Sequence, residues 1–380
     1  MAMQLKTVLA ALREVAPESL AESWDKVGLQ VGSESRRIDS GLLCVDLTEA
    51  VVHEAVRKRC QLVVSYHPPI FSPLASLVEQ GDSADWKQRA LALAVQHKLA
   101  VYAPHTALDA MAGGMNDWLC AGLGKGITRP IVATAEPSRF KIVTFVPSKQ
   151  ADVVRDAMVA AGAGGQGDYR GCTFNTPGVG TFEPLDGATP AVGKVGDMQW
   201  VEELRIEMLC SAATLDAALD ALRRVHPYEE PAYDVITLDP RSGGGDGESA
   251  TGAGRLLTLK TAIQAGTLAD RLKAHLGVSH VKAAWPEKQT KIRTVAVCVG
   301  SGGSLFEHPA AAGADAFVTG EMQYHGVLDL AQQGKTVLLA GHTQTERPYL
   351  TVYRDKIRKT AAASLKWRMS RADVAPLAWM

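Results

Sequence analysis

Residues 41–68 read GLLCVDLTEAVVHEAVRKRCQLVVSYHP. Residues 41–46 are an apolar, strand-like run, residues 51–59 follow as a helix, and residues 62–64 form a second short strand that ends at His67. Residues 99–103 read as a third strand, ending near His105. Strands that alternate with helices predict a mainly parallel sheet with helices packed on it. Ligands collect at the carboxyl ends of strands in such sheets, and His67 and His105 both stand at such ends.

The same texture returns late in the chain. Residues 294–299, 316–319 and 336–340 read as strands, the last ending at His342, and residues 300–305 as a glycine turn into a helix. The middle differs. Strands are expected at 140–145, 172–174, 179–182, 205–209 and 232–238, with helices at 149–161 and 213–225. This β-α-β-β…β-α-β order suits a small ferredoxin-like module. The fold class expected is therefore α/β: one discontinuous α/β domain with a mainly parallel sheet, interrupted by an inserted ferredoxin-like domain. Its boundaries are 1–137 and 255–380 for the two halves, 138–240 for the insert and 241–254 for a Gly- and Ser-rich linker.

Composition narrows the function classes. Of 380 residues, 46% are hydrophobic and 21% charged, as in ordinary globular proteins. Lys and Arg number 40 against 41 Asp and Glu, so no global field favours nucleic acid or an anionic membrane. No run of apolar residues reaches the length of a membrane span. Leu5, Val8, Leu9, Leu12 and Val15 recur at helical spacing, broken by Lys6, Arg13 and Glu14, which reads as the first helix of the fold and not as a targeting segment. The six cysteines are scattered without a Cys-x-x-Cys pair, which favours reduced thiols and a cytoplasmic location.

Four short segments hold most of the chemistry: Ser65-Tyr66-His67-Pro68-Pro69, His105-Thr106-Ala107-Leu108-Asp109, Tyr324-His325 and Gly341-His342-Thr343-Gln344-Thr345-Glu346. His67 sits between a buried strand and Pro68-Pro69, Asp109 follows His105 by four residues, and Glu346 follows His342 by four. One helical turn would place His342 and Glu346 on one face. Pro348 fits only a first helical turn, so that helix is expected to start near Thr345. Taken singly, His67 reads more readily as a structural histidine, Asp109 equally well as a helix cap, and His342 with Glu346 has a solvated pair as its alternative. Together they are the side chains that bind borderline divalent metals. A site drawn from both ends of the chain requires those ends to fold together. The turn at 298–304 lacks the Gly-Lys-Ser/Thr of a phosphate loop and reads as a plain strand-to-helix turn. Residues 226–231, His-Pro-Tyr-Glu-Glu-Pro, are dense in polar groups, and structure or assembly is their expected role.

An ordered set of motifs ties these fragments together: Trp24-Asp25-Lys26-Val27-Gly28-Leu29, Tyr66-His67-Pro68, His105…Leu108-Asp109, Gly114…Asn116-Asp117-Trp118, Ser301-Gly302-Gly303-Ser304, Thr319-Gly320-Glu321…Tyr324-His325 and Gly341-His342…Thr345-Glu346. The set resembles the family called GTP cyclohydrolase I type 2 homologues, also known as the NIF-three-like proteins, over nearly the whole chain. Residues 226–231 resemble a segment of the nitrogen-regulator-like (CutA-like) inserts of longer members.

The resemblance implies a two-metal site, with one or two divalent ions per chain (zinc, iron, manganese or similar). His67, Asp109 and Glu346 would hold one metal, and His342 and Glu346 the other, with Glu346 bridging. The family has two histidines before the proline, and the first is Tyr66 here. A phenol with a pKa of about 10 is a poor ligand unless a metal lowers it, so the second metal is expected to be weak, absent or held by a Tyr66 tyrosinate oxygen, with one occupied site favoured. His105 and His325 are the candidates for holding or shuttling protons. The resemblance further implies a homohexamer, a trimer of dimers, and a metal-dependent hydrolase or cyclohydrolase acting on a nucleotide or similar small molecule. The rival reading is a non-catalytic metal-binding or regulatory protein whose insert senses a small-molecule ligand. Nucleic acid binding ranks third, carried only by the basic stretch 354–371, which reads more readily as a solvated helix face and an edge strand.

Overall fold

Leu5, Val8, Leu9 and Leu12 are buried along one side of the helix Leu5–Val15, as their spacing predicts. The structure, a computed structural model, describes residues 2–74, 76–78, 85–134, 139–238, 251–286 and 291–377. It is a mixed α/β fold with several sheets. Its chain divides into two compact units, Met1–Thr134 with Gly247–Met380, and Ala135–Asp246.

The first unit holds two large sheets. One runs in the order Lys366–Met369, Ser40–Cys44, Leu62–Ser65, Ala100–Ala103, Gly28–Val31. Its first three pairings are parallel and the last is antiparallel. The other runs Lys282–Ala284, Thr336–Leu339, Ala316–Glu321, Ile292–Ser301, Arg255–Ile263, Gly126–Arg129. Only its two central pairings are parallel. The mainly parallel sheet expected from the alternation of strands and helices is thus two mixed sheets. Antiparallel strands need no crossover helix, so their addition at a sheet edge leaves no mark on that alternation.

Each sheet exchanges strands between the two halves of the sequence: Lys366–Met369 pairs with Ser40–Cys44, and Gly126–Arg129 with Arg255–Ile263. One face of both sheets shares a core with the helices Leu5–Val15, Met115–Leu123, Ala265–Leu276 and Tyr349–Ile357. The helices Glu49–Arg57 and Trp86–Gln96 cover the other face of the first sheet. With both faces covered, its central strands are buried throughout, which is why they read as unbroken apolar runs. Among the described residues no helix is long and apolar enough to cross a membrane.

The second unit is one antiparallel sheet in the order Thr173–Phe182, Gln199–Ser211, Arg139–Pro147, Tyr233–Thr237. The helices Ala151–Ala160 and Leu215–Val225 pack on one face, against Ile142, Val146, Ile206 and Met208. The two strands expected at 172–174 and 179–182 are one continuous strand that runs through Pro177. Proline is tolerated because this strand lies at the sheet edge, where one side of the backbone needs no ladder partner. Of the linker expected at 241–254, residues 241–250 lie outside the described residues, as do 136–138 at the first boundary. Gly252–Ala253 pairs with Val132–Ala133.

Candidate metal centre

Strand ends build the site. His67 follows the strand Leu62–Ser65 by two residues, and its N–H donates to the Val45 carbonyl at 3.0 Å. The Ser65 hydroxyl donates to the His67 carbonyl at 2.9 Å and closes the turn. His105 follows Ala100–Ala103 by two residues and has φ of +29°, a conformation that non-glycine residues rarely adopt and that costs about 1–3 kcal/mol. In the other sheet, the chain turns at Gly341, φ +94°, into the short helix His342–Glu346. That helix starts at His342 and not near Thr345. Pro348 instead precedes a separate helix, Tyr349–Ile357, so it breaks nothing.

His67, His342 and Glu346 converge. Nε2 of His342 lies 3.1 Å from Oε1 of Glu346, and Nε2 of His67 lies 3.6 Å from the same oxygen. One potential ligand atom from each of the three residues lies within 4.8 Å of the others. The outer nitrogen of each imidazole is held by a carboxylate: Nδ1 of His67 by Asp46 at 2.9 Å, and Nδ1 of His342 by Glu321 at 2.9 Å. This carboxylate–histidine arrangement fixes ring orientation around metal ions. His105 repeats it, with Nδ1 2.7 Å from Asp25, whose second oxygen accepts from the Thr106 N–H at 3.1 Å.

Tyr66 and Asp109 are paired with each other. The buried phenol donates to both carboxylate oxygens, at 2.8 and 2.9 Å. These groups line a cavity of about 430 Å³ that also takes in Trp24, Asn116, Cys298 and His308.

Charge in the site is strongly coupled. Burial pulls the His67 imidazole down, but Asp46 and Glu346 outweigh it and carry its pKa up to about 10. Glu346, opposed by burial, raises His342 to about 9, with help from Glu321. Burial pushes the Glu346 carboxyl up, yet the two histidines hold it below its ordinary value. Desolvation lifts Asp109 to about 7, and burial together with Asp109 pushes the Tyr66 phenol upward.

The residues fit a divalent cation. Glu346 is 2% exposed, and its Oε2 is buried with no hydrogen-bond partner. A buried carboxylate oxygen left unpaired is costly, and a cation supplies the missing partner. Gly300, φ +63°, preserves the space: a Cβ there would stand 2.5 Å from Glu346 Oε1 and 3.3 Å from His342 Nε2. Two imidazoles and one carboxylate form a donor set of the zinc or iron type.

Of the residues singled out from sequence, Tyr66, His67, His105, Asp109, His342 and Glu346 line this cavity, and His325 does not. It lies exposed in the first turn of the helix Tyr324–Gln332, its ring against Tyr324. Asp25, Asp46 and Glu321 hold the three histidines, a role that their place in the sequence does not reveal. The signal lies in the fold, where Asp46 and Glu321 close strands whose neighbours end at His67 and His342. The glycine turn spends its N–H groups internally, Gly300 on Thr345 Oγ1 at 2.9 Å and Gly302 on Thr319 Oγ1 at 3.0 Å. In the second unit, His226 bonds the Phe145 carbonyl, Tyr228 donates to Glu203 at 2.6 Å, and Glu229 accepts from the Thr189 N–H. Tyr228, Glu229 and Glu230 also border a separate cavity of about 950 Å³ in that unit.

Residues 3–376 match the model of the Duf34/NIF3 (NGG1p interacting factor 3) family. The chain belongs to the DUF34/NIF3 family. A GTP cyclohydrolase 1 type 2 homolog of Halalkalibacterium halodurans is 36% identical over 337 residues, covering 89% of this chain and 88% of the relative. Human NIF3-like protein 1 is 32% identical over 388 residues, covering 99% and 92%. Among solved structures, a Bacillus cereus protein related to NIF3 superposes with a TM-score of 0.80 at 30% identity, covering 100% of this chain and 99% of that one.

Proposed function

We propose that this DUF34/NIF3 protein binds a divalent metal and acts as a metal-dependent hydrolase or cyclohydrolase on a nucleotide or similar small molecule. The observation that carries the reading is the convergence of His67, His342 and Glu346 around a buried, partnerless carboxylate oxygen. A divalent cation, when bound, supplies Lewis acidity toward water and toward an electrophilic substrate atom. Asp46 and Glu321 hold the two imidazoles with Nε2 toward Glu346. His105, anchored through Nδ1 on Asp25, keeps Nε2 for taking up or delivering a proton. Trp24 lies 6.2 Å from the His105 ring and gives the cavity an aromatic wall for a planar base.

Family membership and the names of the relatives support the cyclohydrolase assignment; the cytoplasmic homohexamer, a trimer of dimers, is proposed from the motif resemblance alone. The β-α-β-β-α-β order of the second unit supports reading it as an inserted ferredoxin-like, CutA-like domain. The test is turnover of GTP and related nucleotides by metal-replete protein, beside His105→Ala. Hydrolysis that requires metal and falls with His105→Ala supports the reading, and no turnover of any nucleotide sinks the enzymatic part. One observation favours the second reading, a non-catalytic metal-binding or regulatory protein: Tyr66 occupies Asp109 at the heart of the site. Metal bound without turnover would favour it.

A further inference from the structure

We propose that Tyr66 withholds Asp109 from the ligand set, so that the chain binds a single divalent ion on His67, His342 and Glu346. The inference rests on the metal-binding reading above and specifies how many ions this chain takes and by which groups.

The hydroxyl of Tyr66 sits in the fork of the Asp109 carboxylate, 2.8 Å from one oxygen and 2.9 Å from the other. That edge is the one through which a carboxylate grips a cation. Asp109 would have to surrender both hydrogen bonds to become a ligand. Neither partner is free to leave. Tyr66 is 1% exposed, its N–H donates to the Cys44 carbonyl at 2.9 Å, and its ring packs 5.0 Å from that of His67 and 5.4 Å from that of His105. The Asp109 backbone is pinned as well. Its carbonyl accepts from Nδ2 of Asn116 at 3.2 Å, while Oδ1 of Asn116 accepts from the Val299 N–H at 3.0 Å.

Among the described residues, the group of donors close enough to share an ion contains His67, His342 and Glu346 and leaves Asp109 out. The partnerless oxygen belongs to Glu346, within that group. Three protein ligands with an open fourth position are the layout of a single catalytic ion. Asp109 then lies beside the ion without ligating it, held by Tyr66.

The test uses the full-length protein stripped by chelator and titrated with Co²⁺, followed by its visible absorption. Wild type should reach its endpoint at one Co²⁺ per chain. Asp109→Asn should keep the same spectrum and an affinity within about threefold of wild type, well short of the roughly 10–100-fold loss expected even for an outer partner of a true ligand. An endpoint at two Co²⁺ per chain, or a loss of about tenfold or more in Asp109→Asn, overturns the proposal. The wild-type endpoint decides the question even if the variant fails to fold. Absence of any Co²⁺ binding would overturn the metal-binding reading as well, whereas a two-ion endpoint overturns this inference alone.

Discussion

Nε2 of His342 stands 3.1 Å from Oε1 of Glu346, one turn apart in a five-residue helix. The helix supplies this pair, and His67 arrives at the same oxygen from the other sheet. A carboxylate that is 2% exposed and has one oxygen without a partner is an arrangement that stability alone disfavours. Sites kept at a cost to stability are a mark of function.

Glu346→Gln should therefore separate metal binding from folding. It removes the anionic donor while keeping the shape of the side chain. Metal affinity should fall by more than the roughly 10–100-fold cost of losing an outer-shell partner, with an unchanged circular dichroism spectrum. Wild-type metal content in the purified variant would show that the site is misplaced.

Asp46 and Glu321 orient the imidazoles through their Nδ1 atoms. Asp46→Asn and Glu321→Gln should each weaken metal binding by about 10–100-fold without abolishing it. Competition titration against a chelator of known affinity measures this, and no change in either variant would remove the carboxylates from the design of the site.

Replacing the residue that holds Asp109 should change the stoichiometry. Tyr66→His frees the Asp109 carboxylate and adds an imidazole beside it, so elemental analysis should rise from near one metal per chain toward two. Two metals in both proteins would show that Tyr66 does not limit the site.

Glu54, which is not among the groups of the metal centre, gives the fold a pH dependence of its own. Burial raises its pKa, but Lys58, Ser370 and the backbone N–H groups of Ala372 and Arg371 outweigh burial and hold the carboxyl at about 2, against an ordinary 4.5. A carboxyl depressed on folding contributes stability above its unfolded pKa and loses it as the pH falls through the folded value. The contribution, about 3 kcal/mol at most, should be present above pH 4.5 and disappear as the pH drops toward about 2. Glu54→Gln should flatten this part of the curve of urea stability against pH. An unchanged slope would show that the carboxylate is not coupled to folding.

Arg255, 1% exposed, grips Asp117 through Nε and Nη2 at 2.8 and 2.9 Å and donates from Nη1 to the carbonyls of Gly252 and Gly254, each at 2.7 Å. Arg255→Met would strand these acceptors and should cost about 3–5 kcal/mol. The midpoint of urea unfolding reads the loss directly, and a shift below about 1 kcal/mol would class the pair with ordinary surface bridges.

Much of the site was legible because strand ends are. Buried strands with both faces covered are unbroken apolar runs, so the positions of His67, His105 and His342 just beyond such runs could be read from residue order. The roles of Asp46 and Glu321 are not legible in sequence because a single carboxylate at a strand end has no pattern of its own. Its meaning lies in the histidine one strand away. The helix starts at His342 and not near Thr345 because Pro348 caps the next helix and places no limit on this one.

The linear order of residues determined which side chains could bind a metal, that both ends of the chain supply them, and where the strands preceding them run. Only the tertiary structure decided that the strands form two mixed sheets, that His325 stands outside the cavity, and that Asp109 answers to Tyr66. The physical reason is distance. Hydrophobic periodicity is a local property and survives in sequence, whereas pairing direction at a sheet edge, and a hydrogen bond between residues 43 positions apart, exist only once the chain has closed on itself.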